Sequence, residues 1–90
     1  MNRISNQDVI AVFESLGFKQ HTIKGNVLFE KDGAYYRLSY INENMGYVIE
    51  SADNIEEAKI GRFEDDDVIA LQETKEKTIE AIKTCLEEYY

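Results

Sequence analysis

Proline and tryptophan are absent from this chain of 90 residues, and cysteine and histidine occur once each, as Cys85 and His21. Without proline there is no cis-Pro turn and no slow isomerisation step. A single cysteine excludes an intrachain disulfide. Its spacing from Ile79 and Ile82 suits a small buried hydrophobe rather than a nucleophile, which needs an activating neighbour. One histidine and one cysteine supply neither a His-containing triad nor zinc-type ligand spacing, and no Gly-rich phosphate loop or dinucleotide fingerprint occurs. The expectation is a protein with no catalytic residues, no cofactor and no metal. Long apolar runs are missing as well. Nothing approaches the roughly 18 consecutive apolar residues of a bilayer span, and Met1 to Asp8 lacks the apolar core of a secretory signal. The chain is therefore expected in the cytoplasm, with no membrane contact.

Cations are scarce: 10 Lys and Arg stand against 18 Asp and Glu, a net charge of −8. The deficit is confined to one half. Residues 1–42 hold four acids and five bases, whereas residues 43–90 hold fourteen acids and five bases. Such asymmetry repels DNA, RNA and anionic lipid, and steers toward a partner with a basic surface. Direct nucleic-acid binding is not expected.

What is present is enough apolar surface, 43% hydrophobic and 11% aromatic residues, to build one core in one domain over residues 1–90. Ser5 as N-cap, Asp8 three residues on and the staple pair Ile4 and Val9 predict a helix start. Val9, Ile10, Val12, Phe13 and Leu16 then recur at helical spacing, and Gly17 ends the helix. From Phe18 the period becomes two. Strands are expected over Phe18–Ile23, Val27–Lys31, Ala34–Ile41 and Tyr47–Glu50, with Asp32-Gly33 forming a type I′ hairpin turn. In the third strand Tyr36, Leu38 and Tyr40 form the core face, leaving Tyr35, Arg37, Ser39 and Ile41 toward solvent. Asp53 or Asn54 is placed to cap a short helix over Ile55 to Ile60, with an irregular connection as the alternative. Residues 63–71 open the last helix or form a short edge strand after the acidic run, and the reading taken is helix; the face of that last helix is Ile79, Ile82, Leu86 and Tyr89. The expected fold class is α+β, a four-stranded antiparallel meander flanked by an N-terminal and a C-terminal amphipathic helix.

Two features carry the functional reading. The first is the run Glu64, Asp65, Asp66 and Asp67, supported by Glu56 and Glu57, whose mutual repulsion a basic partner would relieve. If the run lies on a helix, carboxylates four residues apart sit about 6 Å from each other and imitate part of a nucleic-acid backbone. Consecutive acids diverge on a helix or a strand, so they do not converge on an ion, and EF-hand spacing is absent. The second feature is the aromatic pair with charge, Tyr35 beside Arg37, which has the composition of a binding hot spot. The first feature predicts a non-catalytic protein-binding inhibitor that blocks a basic, nucleic-acid-handling partner. It shares size and charge, though no motif, with bacterial toxin-immunity proteins and phage anti-defence proteins. The second predicts instead a structural or regulatory module, monomer or homodimer, that self-associates or docks through its tyrosine-bearing sheet face.

Overall fold

The computed structural model describes residues 3–90. The order is α1 (Asn6–Ser15), β1 (Lys19–Ile23), β2 (Asn26–Lys31), β3 (Ala34–Asn42), β4 (Gly46–Ala52), α2 (Ile55–Lys59), β5 (Glu64–Ile69) and α3 (Lys75–Tyr89). All neighbouring strands are antiparallel, in the spatial order β1-β2-β3-β4-β5. The α+β class and the flanking terminal helices are as the sequence predicts, but the meander has five strands. Among the described residues no helix is long and apolar enough to cross a membrane.

The local signals act as read. Ser5 and Asp8 exchange hydrogen bonds as a capping box, 3.1 and 3.0 Å long. The turn residues Asp32 and Gly33 both take positive φ, 54° and 88°, the conformation that matches the twist of a two-residue hairpin. Asn54 rather than Asp53 caps α2, accepting from the Glu57 N–H at 2.9 Å.

Alternation along the strands divides the sheet into two unlike faces. On one, α1 and α3 cover Phe29, Tyr47, Ile49 and Ile69 to form the main core with Phe13, Ile82 and Leu86. Its centre is the stacked pair Phe13 and Phe29, with ring centroids 4.2 Å apart. On the opposite face α2 lies over a smaller cluster of Leu28, Tyr35, Ala52 and Ala58, edged by Ile23 and Phe63.

The fifth strand corrects the reading of residues 63–71 as helix. Gly46 through Ile49 are buried without interruption, so β4 is a central strand whose backbone groups need partners along both edges. One edge is filled by β3, and Glu64–Ile69 fills the other. That ladder outweighs helix propensity in a segment where Val68 and Ile69 are β-branched. Thr78, fully buried, fixes the join to α3: its hydroxyl accepts from the Gln72 N–H at 2.9 Å and donates to the Thr74 carbonyl at 3.2 Å.

Candidate protein-interaction surfaces

The acidic run forms most of β5, the last strand of the sheet, which pairs with β4 and among the described residues has no partner on its outer side. It is therefore not the opening of α3, and the expected helical spacing of its carboxylates does not exist. The register passes from Ile49↔Asp67 to Glu50↔Asp65, leaving Asp66 as the extra residue of a β-bulge. Glu64, Asp65 and Asp66 are exposed, and none of the three has a Lys, Arg or His in ion-pairing distance among the described residues.

Asp67 separates from the other three because it stands opposite Ile49 on the sheet face that α3 covers, while the bulge at Asp66 turns Asp65 to the face of Glu50. It points toward α3 and accepts a short hydrogen bond from the Tyr90 hydroxyl. Burial, with Asp67 and Asp66 nearby, pushes the Tyr90 phenol far above its usual range. The Tyr90 ring meets Tyr36 edge-on at 5.5 Å, and its main-chain oxygen accepts from Lys31 at 2.8 Å. Asp67 thus anchors the chain end and takes no place on the acidic surface. Cys85 lies next to this anchor, where burial, followed by the charges of Asp67 and Glu88, raises its thiol pKa. A raised pKa disfavours the thiolate and with it nucleophilic chemistry.

Glu56 and Glu57 occupy the first turn of α2, where their charge complements the helix dipole. Glu56 is exposed, while Glu57 is half-buried and 3.7 Å from Arg62. The structure places these two on α2 over β3 and β4, and Glu64 to Asp66 at the sheet edge.

The expected hot spot at Tyr35 and Arg37 does not form. Tyr35 is only 8% exposed, because α2 and Phe63 cover the sheet face assigned to solvent. The sequence carries the cap of this short helix, but nothing local that sets the face on which it docks. Arg37 is committed to its own fold: its Nε and Nη2 donate to Glu50 at 3.1 and 3.2 Å, and its guanidinium stacks 4.1 Å above the Phe63 ring. Ser39 also donates to Glu50. Burial alone would raise the Glu50 pKa, but the hydrogen bonds from Arg37 and Ser39 outweigh it and hold the carboxyl below its usual range.

A feature invisible in the sequence is a split between β2 and β3. Their ladder ends at Phe29↔Tyr36, although both strands continue beyond it. On the α1 side the split opens a cleft of about 330 Å³ between Val9, Ile10, Val27, Phe29 and Leu38. On the α2 side lies a smaller hollow of about 60 Å³ bordered by Lys24, Lys59, Leu28 and Phe63. Asn26 and Arg37 border both.

Among the described residues no three or more His, Cys, Asp or Glu side chains gather as a metal-binding group. Comparison with protein-family models, with curated proteins and with solved structures finds no match for this chain.

Proposed function

We propose that this protein is a non-catalytic, protein-binding inhibitor whose acidic second half covers a basic surface of its partner. The observation that supports the reading is the edge position of Glu64, Asp65 and Asp66: three exposed carboxylates on a strand that, among the described residues, has one free side and no ion-paired cation. Like charges held this close cost free energy, which a Lys- or Arg-bearing partner relieves on docking. The acids lie on a strand, so they do not imitate nucleic acid through helical carboxylate spacing. Asp67 is likewise set aside as a contact, and Glu56 and exposed parts of α2 are secondary ones.

The test uses wild type and the triple variant Glu64→Gln, Asp65→Asn, Asp66→Asn as baits in host lysate, followed by titration with the purified captured protein. The expected result is one partner with a basic surface, lost by the variant, whose Kd weakens steeply between 50 and about 300 mM salt as screening sets in. Equal affinity of bait and variant, or affinity indifferent to salt, overturns the reading.

A further inference from the structure

The split between β2 and β3 is a second site, independent of the acidic edge. A two-residue hairpin closes on a hydrogen-bonded pair, here Lys31↔Ala34, and such pairs then alternate along the ladder, so Phe29↔Tyr36 is the next. The same alternation turns the N–H and C=O of Leu38 and Tyr40 toward β2, past the point where the ladder has ended. The groups of Val27 face them from the other side. Two strand edges thus diverge inside one sheet, each offering backbone donors and acceptors without a ladder partner, and Val27 is 42% exposed at the opening.

The lining adds chemistry to this edge. Although the chain carries 18 Asp and Glu, none of them borders the cleft or the smaller hollow. Apolar side chains of α1, β2 and β3 line the cleft on one sheet face. On the other face Lys24 and Lys59 flank the hollow, and neither has a carboxylate in ion-pairing distance among the described residues. The third cation there, Arg37, is already satisfied by Glu50.

We infer that the split binds an extended peptide segment in which apolar and acidic residues alternate, added as a strand along the free edge of β3 at Leu38 and Tyr40. Strand addition supplies the missing backbone partners. Because successive side chains of a strand point to opposite faces, the segment's apolar residues enter the cleft beside Val9, Ile10 and Phe29. Its acidic residues then reach the Lys24 and Lys59 side. The cleft falls at the lower end of the about 300–1,000 Å³ range of ligand sites, which suits one or two apolar side chains rather than a larger molecule. Charge complementarity makes the preference unusual: a protein of net charge −8 should select an acidic peptide at this one place.

The test is fluorescence anisotropy with labelled Val-Glu-Leu-Glu-Val, its Lys-for-Glu counterpart, and a version N-methylated along the backbone, with octanoate as a competitor. The expected result is binding of the Glu peptide at least about tenfold tighter than the Lys peptide, as complementary charge requires, and loss of binding on N-methylation. Val27→Trp, which fills the opening from an exposed position, should abolish binding. Lys59→Glu should weaken it about tenfold, with circular dichroism unchanged in both. Amide exchange at Leu38 and Tyr40 should slow when the peptide binds. Preference for the Lys peptide, indifference to N-methylation, or unchanged affinity in both variants overturns the inference. So does octanoate binding in the cleft while the peptide does not bind.

Discussion

Arg37 and Glu50 stand opposite each other on β3 and β4 and share two hydrogen bonds beneath Phe63, on the sheet face that α2 covers. The carboxylate is the less accessible partner, with its side chain 13% exposed against 35% for Arg37. Removing the cation therefore leaves a largely desolvated charge without its main donor. Arg37→Ala should lower stability by about 1–2 kcal/mol in urea denaturation, with Glu50→Gln costing less because it removes the charge itself. The folded pKa of Glu50 is held below the usual 4.5. Its contribution is present above that value and disappears as pH falls through the folded pKa. The acid limb of the stability profile should accordingly be shallower in Glu50→Gln than in wild type.

At the chain end the sign reverses. The phenol of Tyr90 has a folded pKa raised from 10.0, chiefly by burial and then by Asp67. Its contribution is full below pH 10 and is lost as pH rises, because the unfolded chain ionises where the folded one resists. Tyr36 shifts in the same direction, by burial first. Wild type should lose stability above pH 10, and Tyr90→Phe should flatten part of that loss. At neutral pH the same variant removes one charge-assisted hydrogen bond, a cost of roughly 1–3 kcal/mol measurable by thermal or urea unfolding.

These two contacts mark what the sequence makes legible. Features set by neighbours along the chain were readable: the Ser5 and Asp8 box, the Asp32-Gly33 turn, and the alternation that puts Tyr36, Leu38 and Tyr40 on the core face. Features set by contacts remote in sequence were not. Residues 64–69 have helix and strand character in nearly equal measure, and the open side of β4 decides between them. The unbroken apolar run Tyr47-Val48-Ile49 was the available sign that β4 is central and needs two partners. For the candidate surfaces, the charge of Glu64 to Asp66 could be read but not its edge position. The burial of Tyr35 depends on where five residues of α2 dock, and the divergence of β2 from β3 leaves no mark in local pattern.

Gly46 supplies a sharper test of how β5 is held. It has φ of +82°, and a Cβ placed there would lie 2.2 Å from the Ile69 carbonyl oxygen and 2.8 Å from the Leu71 nitrogen. Both neighbours are backbone and have no side-chain freedom with which to yield. Gly46→Ala combines a left-handed conformation with this clash and should cost roughly 2–4 kcal/mol. Hydrogen exchange should localise the damage, with the amides of β5 opening before those of β2 and β3. Uniform loss of protection across the sheet would instead mean that β5 is no weaker than the rest.

The acidic edge sets stability against binding. Residues on the same face of a strand lie about 6.6–6.8 Å apart, so two carboxylates there repel by roughly 0.6 kcal/mol in unscreened water. With Glu64, Asp65 and Asp66 exposed and lacking ion pairs, neutralising them should stabilise the isolated protein by about 0.5–1 kcal/mol at 0.01 M salt, where the Debye length is about 30 Å. At 1 M salt that length falls to about 3 Å and the gain should vanish. The triple variant is thus expected to be more stable and defective in partner binding at low salt, and to match wild type in both at high salt, where screening removes the repulsion and the contact alike. If it is less stable at low salt, the carboxylates have favourable partners within the fold, and the case for an external basic partner falls with that result.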